Sequence, residues 1–331
     1  MIYLQDDKII ISFPELHPNA SLSIDLQRTL RLPDDGNTHA LPPGFGSFPL
    51  RHISDYDLGE NKMLKRRGGL IMPMFQADAL WLNFNTINSD RDSAPYPMAV
   101  KIGTGKRCAL TGEAWSSHLN QDPQDYIVTP DQPWLDGYNM GNGEIRQFVA
   151  APLGEGITAE EQLSGRSDVG GIQIQVFPMK KAAYDDLNKC GEGSGIDILY
   201  HACELDMGLA AGGKMNQEIY EDENELSAWD QRQSERCFIT IANAQQWQGI
   251  TGEEPPMRAM DADDYTKAGL PWFHHFEENK ATLSGTDALS GLTSFHQAKA
   301  ENGDSTWTKE SLTSKKIIVP TNKRPVSIGE W

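Results

Sequence analysis

The sequence predicts a mainly β protein with short helices (α+β): an antiparallel β-sandwich or open barrel-like core, with helices concentrated in the C-terminal half. Three observations carry this expectation. Apolar and polar residues alternate with period two through most of the first 180 positions, the signature of strands with one buried face. The chain holds 30 glycines and 19 prolines, about 15% of 331 residues against a usual ~12%, as a turn-rich β protein would. Helix signals are short and fall mostly late.

The elements follow in order. Lys8–Phe13 is the first strand candidate. Leu22, Ile24, Leu26, Leu30 and Leu32 then alternate with Ser23, Asp25, Gln27, Thr29 and Arg31, and Pro33-Asp34-Asp35-Gly36 supplies a turn. A helix would align Leu22, Leu26 and Leu30 but strand Ile24 and Leu32 off that face. Further strands are expected at Leu70–Phe75, Ala79–Phe84, Met98–Ile102, Arg107–Thr111, Ile145–Ala150 and Ile172–Phe177. Met98–Ile102 and Arg107–Thr111 read as a hairpin joined through Gly103-Thr104-Gly105. Thr158-Ala159-Glu160-Glu161 has capping-box spacing. Ile196–Tyr200 and Cys237–Ile241 are later strands. Asp261–Ala268 reads as two helical turns stopped by Gly269 and Pro271, and residues 286–299 as an amphipathic helix weakened by Gly291. The chain reads as one large β-rich domain over 1–331. The glycine-rich run 189–195 offers a subdivision into a sandwich-like part, 1–188, and a mixed α/β part, 196–331.

Composition narrows the partners. With 29 Lys+Arg against 47 Asp+Glu the net charge is −18, a field opposite to the one that tracks phosphate backbones, so nucleic acid is not an expected partner. The one tight basic run, Lys65-Arg66-Arg67, reads as a solvated loop before Gly68-Gly69. The most apolar stretch, Leu70 to Phe84, is broken by Pro73, Gln76, Asp78 and Asn83 and falls short of the ~18 apolar residues of a spanning helix. The first residues lack a basic region followed by an apolar one, so no membrane association and a cytoplasmic location are expected. Four cysteines without a C-x-x-C pair suit a reducing compartment, with Cys108 and Cys237 as small buried hydrophobes.

Candidate chemistry is sparse. Ile102-Gly103-Thr104-Gly105-Lys106-Arg107 has neither the spacing nor the hydroxyl of a phosphate loop and sits between strands. His201, Cys203 and Glu204 form the densest cluster of reactive types. His201 and Cys203 would share a strand face as a metal pair or a nucleophile–base couple, yet no second local pair completes a ligand set. His274 and His275 lie among aromatics and would need a carboxylate to orient a general base. These five are the catalytic candidates. The acidic runs 221–225 and 261–264 lack calcium-loop spacing, so no metal and no cofactor are expected.

The most distinctive segment is 130–143, read as a long loop with two prolines and interleaved aromatics, carboxylates and amides. Trp134, Asp136, Tyr138, Asn139 and Asn142 are its ligand-binding candidates: aromatic faces stack on a sugar or another polar ring while carboxylates and amides fix its orientation. The resulting expectation is a non-enzymatic binding or interaction protein that presents this segment to a small polar, carbohydrate-like ligand or to a protein partner. A self-assembling homo-oligomer is the first alternative, and a hydrolase or lyase using the His/Cys/Glu cluster the second.

Overall fold

A computed structural model describes residues 1–58, 62–76, 78–88, 94–187, 207–256, 265, 280–295, 297–298, 325–327 and 329. The architecture is mainly antiparallel β with short helices, as the alternation predicts. Strands β1 (Ile2–Gln5), β2 (Lys8–Ser12) and β3 (Ser21–Thr29) form a meander. Asp6 and Asp7 make its first turn, at φ 50° and 59°, a left-handed pair that matches strand twist and that Asp tolerates. β3 runs along the whole of β8 (Ala79–Thr86), from Leu22 opposite Thr86 to Thr29 opposite Ala79. β8 passes to β14 (Glu144–Pro152), and β14 to β16 (Met207–Asn216).

The second sheet contains β7 (Leu70–Pro73), β17 (Glu235–Ala242), β15 (Ile172–Pro178), β9 (Met98–Thr104) and β11 (Ile127–Thr129). All pair antiparallel except β7 with β17. Among the described residues one bridge, Met207 opposite Ile241, links the two sheets. The minor strands are β4 (Thr38–His39), β5 (Gly44–Ser47), β6 (Arg51–His52), β10 (Arg107–Cys108), β12 (Trp134–Leu135) and β13 (Gly137–Gly141). The inner faces merge in one apolar cluster, with Ile9, Ile11, Leu22, Ile24, Leu26, Leu80 and Leu82 from one sheet and Val100, Ile102, Ile174, Val176 and Ile239 from the other. Removing such side chains from water is the main stabilising term, at ~1.5–3 kcal/mol each.

Among the described residues the short helices include α1 (Lys62–Arg67), α2 (Ala159–Ser164), α3 (Lys181–Leu187), α4 (Ala244–Thr251) and α5 (Asp287–Ser290). Thr158 and Glu161 close the expected capping box, and Asn243 with Gln246 closes a second. Among the described residues no helix is long and apolar enough to cross a membrane.

Four expectations are corrected. Lys65-Arg66-Arg67 is not a loop but the last turn of α1, where cations face the negative end of the helix dipole. The β9–β10 turn is Gly105-Lys106, at φ 55° and 59°, because Gly103 and Thr104 already pair with Cys108 and Arg107. The helix expected over 286–299 is interrupted at Gly291 after one turn, and helical geometry returns at 295 and 297–298. Segment 130–143 is not a long loop: it carries β12 and β13, whose backbone groups pair with β8 and β14. Cys108 and Cys237 are free and buried. Cys190, the run 189–195, strand 196–200 and most of 261–268 lie outside the described residues.

Side-chain amides stand in for strands along 218–226. Gln132 donates to Glu218 O (3.3 Å) and accepts from Tyr220 N (3.1 Å). Gln124 does the same for Tyr220 O (3.4 Å) and Asp222 N (2.8 Å), and Gln121 for Asn224 O (3.0 Å) and Leu226 N (3.1 Å). Each amide turns one N–H and its carbonyl oxygen to this segment, as a peptide does, and so satisfies backbone groups that burial would otherwise leave unpaired.

Candidate functional site

The site candidate lies on the outer face of the first sheet, behind the leucines of the core. Cross-strand partners share a face, so the register sets Asp25 beside Asn83 and Asn83 beside Trp134 in one rung. Gln27 and Trp81 make the next rung, and Asp136, two residues beyond Trp134, lies on its far side. Strand spacing puts the Asp25 and Trp134 backbones about 10 Å apart. The Trp81 and Trp134 rings meet edge to face, with centroids 6.5 Å apart and planes at 73°. The result is a grid of two carboxyls, two amides and two indoles.

Burial gives this grid its chemistry. Asp25 is 1% exposed, Gln27 0%, Asn83 3%, Trp81 7% and Asp136 3%, while Trp134 is half-buried. Asp25 Oδ2 accepts from Gln27 Nε2 at 2.7 Å and faces Lys8 Nζ at 3.3 Å. Asp25 Oδ1, Asp136 Oδ2 and Trp81 Nε1 are buried with no hydrogen-bond partner. Buried polar groups are nearly always paired, and an orphan costs ~1–3 kcal/mol. Three such atoms fall on this face, and others lie elsewhere, among them Gln175 Oε1 and Thr240 Oγ1 on the second sheet. Desolvation pushes the Asp136 carboxyl up to about 7, against hydrogen bonding from the Trp134 and Gln217 side chains.

Asp136 owes its burial to a fork in the sheet. β12 pairs with β8 at Asn83 and Leu82. Two residues further along β8, Leu80 pairs with Phe148 of β14 instead. The chain leaves β8 at Asp136, whose carbonyl accepts from Phe148 N at 3.0 Å and whose amide donates to Gln217 Oε1 at 3.0 Å. The next residue must be Gly137, because a Cβ there would stand 2.0 Å from Arg146 O.

Of the five binding candidates in 130–143, the structure brings Trp134 and Asp136 together and separates the rest. Tyr138 is fully buried, its hydroxyl 2.8 Å from that of Thr104 and donating to Leu209 O at 3.0 Å, so its ring belongs to the core. Asn139 is 3% exposed and braces backbone, donating to Ser284 O and accepting from Gly141 N. Asn142 is exposed at the β13–β14 turn, at φ 56°. His201, Cys203, Glu204, His274 and His275 lie outside the described residues. Sequence reasoning missed Asp25, Gln27, Trp81 and Asn83. Their alternation was legible, but it reads as a solvated face.

Two other polar places are built differently. On the outer face of the second sheet, Lys101 is 1% exposed and donates to Ser116 Oγ (2.7 Å), His118 O (2.6 Å) and the Asp125 carboxylate. Asp125 also accepts from Asn120 N at 2.9 Å. Burial pushes the Asp125 carboxyl up more than Lys101 pulls it down. Lys101 and Asp125 are thus paired within the chain, although Gln175, opposite Lys101 on β15, leaves its Oε1 buried without a partner. A surface depression of about 510 Å³ lies between Lys180, Leu226 and Arg232. Its tryptophan, Trp229, is 1% exposed and donates its indole N–H to Asp222 at 2.7 Å. Comparison with protein-family models, with curated proteins and with solved structures finds no match for this chain.

Proposed function

We propose that the protein is a binding protein for a small, polyhydroxylated, carbohydrate-like ligand, taken up at the grid of Asp25, Gln27, Trp81, Asn83, Trp134 and Asp136. The observation that carries this reading is the set of three buried, unpartnered atoms on one face: two carboxyl oxygens that need donors and one indole N–H that needs an acceptor. A sugar hydroxyl is both donor and acceptor. Its apolar ring face also stacks on indole, which supplies apolar area with a fixed orientation.

The test is saturation-transfer NMR with a panel of neutral mono- and oligosaccharides on wild type and Trp134→Ala. Expected is transfer to at least one sugar that is lost in a Trp134→Ala protein with unchanged circular dichroism and thermal midpoint. Silence across the panel, or transfer indifferent to the substitution, overturns the reading.

A further inference from the structure

The grid is charged unevenly. It holds two carboxyl groups, Asp25 and Asp136, and one ammonium, Lys8, which lies 3.3 Å from Asp25 Oδ2 and keeps a third of its side chain in water. Asp136 has no ion pair among the described residues, and its Oδ2 has no hydrogen-bond partner. A neutral hydroxyl would hydrogen-bond Asp136 but bring no counter-charge, leaving a carboxyl that burial keeps protonated up to about pH 7, whereas a cation beside it favours the ionised form. The two indoles, set at 73° to one another, form a corner of π faces, and such faces attract ammonium groups. Trp81 Nε1, a donor without an acceptor, asks in addition for a hydroxyl or ether oxygen. The net charge of −18 enriches cations around the whole molecule.

Resting on the ligand site proposed above, we infer that its ligand is an ammonium-bearing polyol, an amino sugar or amino alcohol, with the ammonium placed between Asp136, Asp25 and the indole corner and a hydroxyl oxygen on Trp81 Nε1. The ammonium then supplies the counter-charge that Asp136 lacks, and the ligand's ring lies toward half-buried Trp134.

The experiment is a calorimetric titration of wild type, Asp136→Asn, Asp25→Asn and Trp134→Ala with D-glucosamine and with D-glucose, at one pH and ionic strength. Expected is at least tenfold tighter binding of glucosamine by wild type. In Asp136→Asn the preference for glucosamine over glucose falls below threefold. In Trp134→Ala both ligands are lost. Asp25→Asn is the second variant should Asp136→Asn unfold, and it too is expected to narrow the preference. Equal binding of the two sugars, or tighter binding of glucose, with both still dependent on Trp134, overturns the ammonium inference and leaves the binding reading standing. Glucosamine binding that Trp134→Ala does not change is attraction to the acidic surface and overturns the inference. If neither sugar binds and the neutral panel is silent, the binding reading falls and takes the inference with it.

Discussion

On the outer face of the second sheet, Lys101 gives its ammonium hydrogens to a hydroxyl, a carbonyl and a carboxylate. On the outer face of the first, Asp25 is just as deeply buried and leaves one oxygen unpartnered. Both faces take charge out of water, at a cost of several kcal/mol per ion before compensation. The difference lies in what covers them. The chain between β10 and β11 supplies Ser116, His118 and Asp125 and closes over Lys101. Around Asp25 and Asp136 the described residues bring indoles and amides but no full complement of donors. A paired cluster adds to the stability of a fold, whereas an unpaired one lowers it until something supplies the missing hydrogen bonds.

This contrast can be broken by mutation, and the largest effect is expected at Lys101. Asp125→Ala leaves a buried ammonium uncompensated and should cost about 3–5 kcal/mol in denaturant unfolding. A loss under 1 kcal/mol would remove the distinction between the two faces. The next effect is a pH dependence at Asp136. Its carboxyl titrates near 3.9 in an unfolded chain and at about 7 in the fold. Between those values the folded state holds a proton that the unfolded state has released. Its contribution to stability is therefore full below about pH 4 and is lost as the pH rises through 7. Asp136→Asn carries no such proton, so relative to wild type it should gain on the order of 4 kcal/mol between pH 4 and pH 8, one pKa unit being worth about 1.4. A constant difference across that range would contradict the shift.

Smaller effects sharpen the comparison. Gln132→Ala removes partners from Glu218 O and Tyr220 N and should cost about 1–3 kcal/mol. Amide hydrogen exchange should speed up at Tyr220 and its neighbours before it does in β3 or β8. Asp25→Asn should change stability by less than about 1 kcal/mol, because it gives up only a partly exposed ion pair with Lys8. A loss as large as that of Asp125→Ala would make Asp25 a structural residue and weaken the case for a ligand.

Much of the fold is legible along the chain. The alternation from Leu22 to Leu32 gives the face of β3, Thr158 and Glu161 give the start of α2, and the positions of Cys108 and Cys237 give their burial. Two of the five ligand candidates in 130–143 lie beside one another, and that pair shows the limit. Trp134 and Asp136 are two residues apart, a separation that puts side chains on the same face of any strand. Tyr138 has the same spacing from Asp136, but the chain has by then passed the fork from β8 to β14, and its ring turns into the core.

By itself the sequence determined the period of the strands and the acidic field around the molecule, because these depend on residue type and near-neighbour spacing. Tertiary structure alone decided that the face of Asp25 and Gln27 is buried rather than solvated, that Trp81 meets Trp134, and that Asp136 lies in a fork. Local periodicity tells which side chains share a face. Whether that face is in water depends on segments far away in the chain, and so does the number of its hydrogen bonds that stay unmade.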